Sequence, residues 1–225
     1  MGQAIGGSLP LAVGIAISPI PVIAVVLMLT SRRARVNGPV FVLGWLVGLG
    51  VVGAIVLAIT GPGGASTSGG PATWVSWLKI VLGVLLALVA VRQFRSRPQG
   101  DEEPAMPKWM ASIDQTKPPA AFGLAAVLSG ANPKNLLLAI GGGAAIAQTG
   151  IGVGQQIIAY AVFAVIGSLG VGVPVIIYFA LGERSEKLLS GLKDWMSQHN
   201  AVIMSVLCVV IAAKLIGDGI SGLAG

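Results

Sequence analysis

The sequence predicts an all-α, polytopic membrane protein: six transmembrane helices arranged as two inverted three-helix repeats, the first helix of each repeat broken by proline. Three observations carry that expectation. Of the 225 residues, 55% are hydrophobic and only 10% charged, with a mean hydropathy of +0.89, which is outside the range of soluble domains of this size. Apolar runs long enough to cross about 30 Å of hydrocarbon recur along the chain, separated by polar loops. Two of those runs are interrupted near their middles, one at Ser18-Pro19-Ile20-Pro21 and the other at Asn132-Pro133-Lys134-Asn135.

Composition excludes several classes of function. The net charge of +6 is no nucleic-acid footprint, because the basic residues gather in the loops between apolar runs. The single cysteine, Cys208, lies within an apolar run, so no intrachain disulfide can form. One histidine and one cysteine give no metal-ligand constellation. The 33 glycines, about twice ordinary usage, suit helices that approach closely through small residues.

Taken in order, the spans are expected at about 5–30, 38–60, 74–94, 120–147, 154–181 and 201–222. The first could be confused with a signal peptide. Yet Met1–Leu9 holds no Lys or Arg, and the run Ile5–Leu29 exceeds the roughly 7–15 apolar residues of such a leader, so a retained span is expected. Proline lacks an N–H and clashes with the preceding turn, so Pro19 and Pro21 must kink or open this helix. Ser31-Arg32-Arg33-Ala34-Arg35 follows it, and the charge-free Gly61–Thr73 turn follows the second span. After the third, Arg95–Pro119 is polar and Pro-rich around Asp101-Glu102-Glu103 and reads as a cytoplasmic linker. That divides the chain into a first repeat (1–94), the linker (95–119) and a second repeat (120–225). Within 183–200, Leu188, Leu189, Leu192, Trp195 and Met196 share one helical face, which predicts an interfacial amphipathic helix.

Lys and Arg fix the expected orientation. Arg32, Arg33, Arg35, Arg92, Arg95, Arg97, Lys108, Lys117, Arg184, Lys187 and Lys193 fall on one side, against Lys79 near a span end on the other. The basic side is expected to be cytoplasmic, with both termini outside and the protein in the plasma membrane. Three spans per half is an odd number, so a duplicated half must lie inverted. Ser18-Pro19 aligns with Asn132-Pro133, Gly44/Gly48/Gly50 with Gly167/Gly170/Gly172, and Val81-Leu82-Gly83-Val84 with Val206-Leu207-Cys208-Val209.

The residues that could carry chemistry follow from this frame. Opened backbone at Ser18, Pro19 and Pro21, and at Asn132, Pro133 and Asn135, would present carbonyls, amides and a hydroxyl at the midplane. In lipid such backbone survives only where it faces protein or a wet cavity. The alternative is that the prolines only kink packed helices. Lys134, midway through a span, is costly unless paired or hydrated. It could contact an anionic group, exchange a proton, or serve as a structural donor to carbonyls that the prolines leave unpaired. Lys214 and Asp218 are four apart on one helix face and could pair locally, or Asp218 could accept a proton. His199 reads as a solvated helix end. Gly130-Ala131-Asn132-Pro133-Lys134 lacks the spacing and the Ser/Thr of a phosphate-binding loop, so neither catalysis nor direct ATP use is expected, and no cofactor.

At these motifs the chain resembles the lysine-exporter (LysE) superfamily. Pro19-Ile20-Pro21 stands where that superfamily has Pro-Gly-Pro, Asn132-Pro133-Lys134 matches its Asn-Pro-Lys motif, and Lys214 matches a basic residue in its last span. More closely, Ser18–Trp45, Asn132–Leu138, Gly182-Glu183-Arg184 and Ala213–Gly219 resemble the actinobacterial GAP-like group, which includes glycopeptidolipid- and sulfolipid-addressing proteins. The resemblance implies export and a part in delivering glycolipids to the cell surface. The departure at Ile20 argues against an amino-acid substrate. The expected function is therefore outward movement of a lipid, a glycolipid or a small metabolite by alternating access at a midplane site, with proton coupling as one option. The rival is a non-transporting accessory subunit that scaffolds a lipid-export assembly. The partners expected are the membrane, that substrate, and either a second copy of the chain or a larger lipid-export complex, with no nucleic acid.

Overall fold

The structure, a computed structural model, describes residues 1–60, 73–95, 110, 113 and 115–224. Among these residues it is all-helical: α1 (Gly2–Ala16), α2 (Pro19–Leu29), α3 (Ala34–Thr60), α4 (Thr73–Arg95), α5 (Pro118–Gly130), α6 (Pro133–Ala147), α7 (Val153–Gly167), α8 (Leu169–Leu181) and α9 (Ser185–Ala224). By length and composition three helical stretches can cross a membrane, α3, α4 and the α8–α9 stretch, or four if the bent α1–α2 pair counts as one. Apolar side chains also cover the outside. Leu43, Val47, Val51, Ile55 and Ile59 form an exposed stripe at every fourth residue of α3, a surface that water would penalise and lipid would not. The chain is a membrane protein.

The proline motifs act as helix starts. Pro19 and Pro133 each occupy the first position of a helix, where proline's fixed φ is suited and its missing N–H costs nothing. Ser18 and Asn132 hold extended backbone just before them. The α1–α2 axis bends by 53° at its break.

Two stretches differ from the sequence expectation. The segment expected as one span over 154–181 is divided into α7 and α8 at Ser168. The Ser168 hydroxyl bonds back to the Ala164 carbonyl at 2.6 Å, and Pro174 inside α8 presses on the carbonyl four residues earlier. The expected interfacial helix over 183–200 and the expected span 201–222 are instead one continuous helix, the 40-residue α9. Its proposed apolar face is split, because Leu189 and Met196 are buried whereas Leu188 and Trp195 are exposed. Gly182, with φ of +54°, closes α8 in the left-handed region that glycine tolerates. Of the expected linker, Met110 and Ile113 are buried with the core, and the Thr116 carbonyl accepts from Asn37 Nδ2 at 2.9 Å. The Asp101-Glu102-Glu103 cluster and most of the Gly61–Thr73 turn lie outside the described residues.

Glycine sets the closest approaches. A Cβ on Gly48 of α3 would strike the Ser129 hydroxyl and the Ala126 carbonyl of α5, and one on Gly170 of α8 would strike the Ala16 carbonyl at the end of α1. The second break therefore lies level with the middle of α3, and Gly167, where a Cβ would meet both Ile15 of α1 and Leu49 of α3, places the first beside it. We expect Gly170→Val to lower the thermal midpoint of the detergent-purified protein by an amount equivalent to about 1–3 kcal/mol of overpacking. Gly172→Ala, where a Cβ meets nothing within 4 Å, should leave the melt unchanged.

Candidate functional site

Opening a helix orphans carbonyls, and the two breaks orphan them in a matched way. At the first, the Ser18 N–H turns to the Ile15 carbonyl at 3.1 Å, which leaves Gly14 O without its usual i+4 donor. At the second, the Asn132 N–H goes to Val127 O at 3.1 Å, which leaves Leu128 O in the same position. Side chains from the start of α6 supply both donors. Lys134 Nζ donates to Gly14 O at 2.7 Å, and Asn135 Nδ2 donates to Leu128 O at 3.0 Å.

Ser18 ties the two together. Its hydroxyl accepts from Lys134 Nζ at 2.6 Å and donates to Asn135 Oδ1 at 2.9 Å. Asn132 Oδ1 caps α6 by accepting the Lys134 N–H at 3.1 Å. Lys134 is 2% exposed, Ser18 3% and Asn135 not at all. Two of the three ammonium donors are thus taken by neutral oxygens, and no carboxylate pairs with Lys134 among the described residues. Charge-assisted bonds of this kind contribute about 1.5–3 kcal/mol each.

The structure brings together Ser18, Asn132, Lys134 and Asn135 from the sequence-predicted set. Pro19 and Pro21 are buried in the first turn of α2, whereas Pro133 is exposed on the outside of α6. Lys214 and Asp218 are not part of this cluster. They form an ion pair of 2.5 Å with each other, partly exposed. Lys79 of α4, first read only as an orientation marker, lies close enough to both to interact electrostatically. His199 is exposed, stacked on Trp195 and bonded to the Trp195 carbonyl.

A cavity lies on each side of the network. One, about 510 Å³, is lined by Leu29, Thr30, Arg35, Tyr178, Glu183, Glu186 and neighbours from α2, α3, α8 and α9. The other, about 350 Å³, is lined by Val52, Ile55, Val56, Ile59, Thr60, Trp74, Leu78, Leu136 and Ile140 of α3, α4 and α6. Arg35 and Thr60 stand near opposite ends of α3, about 37 Å apart at 1.5 Å per residue, so the cavities occupy opposite ends of the bundle. The first mixes both signs of charge with aromatic side chains. In the second the only side-chain hydroxyl, that of Thr60, is spent on the Val56 carbonyl at 2.7 Å. Sequence reasoning missed both cavities, since each draws on three or more helices far apart in the chain.

One protein family matches: the family described as Sap, sulfolipid-1-addressing protein, over residues 9–221. No curated protein and no solved structure matches.

The hydrogen-bond network makes a direct prediction. Asn135→Ala removes the donor to the part-buried Leu128 O and the acceptor of the buried Ser18 hydroxyl, and unsatisfied buried groups cost about 1–3 kcal/mol. The melting midpoint should fall correspondingly, whereas Asn132→Ser, which keeps an N-cap oxygen, should change it little.

Proposed function

The chain belongs to the sulfolipid-1-addressing protein family, and from that membership we propose that it is a plasma-membrane exporter of the LysE type, GAP-like, that moves a lipid or glycolipid outward. The observation that carries this reading is the Lys134–Ser18–Asn135 network, which closes the bundle midway between two cavities at opposite ends. In an alternating-access cycle an anionic group of the cargo takes the Lys134 ammonium from Gly14 O and Ser18 Oγ. That exchange releases α1 from α6 and opens one side. The Lys134 ammonium could also couple the cycle to protons.

The six-span, inverted-repeat architecture is part of the proposal. Exchanging α1–α2 with α5–α6, α3 with α7–α8 and α4 with α9 turns most principal helix contacts into others that are also made. The α3–α5 contact becomes α7–α1, α3–α6 becomes α8–α2, α2–α9 becomes α6–α4, and α4–α9 maps onto itself. The apolar cavity between α3, α4 and α6 corresponds likewise to the cavity between α8, α9 and α2. The α1–α6 contact, which holds Lys134, is the exception: α5 and α2 form no comparable pair. Such asymmetry between repeats is what distinguishes the two facing states of an inverted-repeat transporter. The Arg35 end is taken as cytoplasmic, and both termini as outside, from the Lys and Arg bias.

One observation favours the second reading, an accessory subunit that scaffolds a lipid-export assembly. Two donors of Lys134 are satisfied inside the protein, and none of the residues lining either cavity belongs to the network.

Purified protein in liposomes, loaded with fluorescent glycolipid and assayed with and without a proton gradient, should deliver lipid to the outer face. Lys134→Ala should abolish delivery while the protein stays abundant and membrane-inserted. Undiminished delivery by a well-expressed Lys134→Ala protein would remove Lys134 from the transport mechanism, and failure of the wild-type protein to transport alone would sink the exporter reading and favour the scaffold. Orientation is tested separately. In intact cells Ser66→Cys should react with an impermeant thiol reagent and Gln99→Cys should not.

A further inference from the structure

Away from the basic helix ends, the spans carry three cations, Lys79, Lys134 and Lys214, against the single acid Asp218. Lys134 is committed to Gly14 O and Ser18 Oγ, and Lys214 is committed to Asp218. Lys79 is left over. It is only 7% exposed, and its ammonium makes no hydrogen bond or ion pair among the described residues. One turn earlier on the same helix, Ser76 is fully buried, and its hydroxyl has no partner either.

Buried polar groups are almost always paired. Two unpaired donors at positions i and i+3 occupy neighbouring sites on the helix surface, so together they point to a missing acceptor. Water could serve the hydroxyl, but it would leave the Lys79 charge sharing Asp218 with Lys214, and incomplete compensation of a largely buried charge is costly. Among the described residues Asp218 is the one anion in range, and it already bonds to Lys214. The four groups, Ser76, Lys79, Lys214 and Asp218, therefore carry one net positive charge, which suits one oxyanion with several acceptor oxygens.

The same turns of α4 also reach the apolar cavity, through Trp74 and Leu78 on another face of the helix. Gly219 of α9 packs against the Ser76 carbonyl, which keeps the charged pair and the cavity at one end of the bundle. An acidic head beside a dry groove is the chemistry of an acidic lipid.

We propose that Ser76 and Lys79, backed by Lys214, form a subsite for one sulfate or phosphate group of an acidic lipid whose chain lies in the groove between α3, α4 and α6. This deepens the lipid-export reading and rests on it for the nature of the ligand.

The test uses full-length protein in phosphatidylcholine nanodiscs, titrated with phosphatidic acid carrying brominated chains, which quench nearby tryptophan. Trp74 should be quenched at low mole fractions of this lipid, and Trp74→Phe should remove that component. Lys79→Gln should raise the mole fraction required about tenfold, Ser76→Ala by a smaller factor, and Lys79→Arg should restore binding. Lys79→Gln removes a largely buried cation that has no hydrogen-bonded partner of its own and only shares Asp218 with Lys214, so its melting midpoint should not fall. Brominated phosphatidylcholine quenching Trp74 equally well, or Lys79→Gln binding the acidic lipid like the wild type, would overturn the proposal. Inorganic sulfate or phosphate displacing the lipid at millimolar levels would also overturn it, by making the site one for a free anion. If Lys79→Gln loses binding while the wild-type protein moves no lipid in liposomes, the subsite stands and the exporter reading falls. The reverse pattern removes the subsite alone.

Discussion

Everything at the centre of this protein depends on the cost of an unpaired carbonyl in a medium without water. Helices satisfy their own backbone, which is why they can cross a membrane at all. A proline-initiated helix placed in the middle of the bundle surrenders that self-sufficiency, and something else must donate. Here the donors are two side chains adjacent in sequence, Lys134 and Asn135, which reach to Gly14 O in one half and Leu128 O in the other. The glycines of α3 and α8 follow from the same need. They let neighbouring helices come close enough that the opened turns are enclosed by protein. The bend, the tight helix contacts and the buried cation are parts of one solution.

That solution separates two environments of different character. The cavity at the Arg35 end mixes charge and aromatic surface, whereas the one at the Thr60 end is lined by apolar side chains and a hydroxyl already bonded within its helix. The two linings differ as the head and the chains of an amphipathic molecule differ. The same division explains how a small bundle could handle a lipid: its chains need never enter the interior, because the groove between α3, α4 and α6 is lined from the lipid-facing side by Ile55, Ile59 and Trp74, all exposed.

The parts of this arrangement that were legible in the sequence are those governed by near-absolute local rules. Proline cannot donate, so the breaks at Ser18 and Asn132 could be read directly, and apolar runs of sufficient length gave the helical class. Long-range partners were not legible. Nothing local to Ser18 states that its hydroxyl meets residues 116 and 117 positions away. The interruption at Ser168 escaped notice because serine within a helix is nearly neutral in propensity, and nothing local states that its hydroxyl bonds back to the Ala164 carbonyl. The polar stretch 185–200 was separated from the span after it because composition changes there, yet helical hydrogen bonding continues without regard to composition. Lys79 was legible as a charge but not as an unpaired one, since pairing depends on where α9 ends.

The unbroken length of α9 has a mechanical consequence. Its first turns line the cavity at the Arg35 end. Its middle carries Ile211, which packs against Gly14, the residue whose carbonyl accepts from Lys134, and its last turns hold Lys214 and Asp218 beside Lys79. With 40 residues and no internal proline, it spans about 60 Å, so it touches all three stations as one stiff rod. Pivoted at its middle, such a rod swings its two tips in opposite directions, and a tilt of 5° displaces each by about 3 Å over an arm of roughly 30 Å. That is about the length of a hydrogen bond, so a push at one membrane face is delivered at the other as the making or breaking of a single contact.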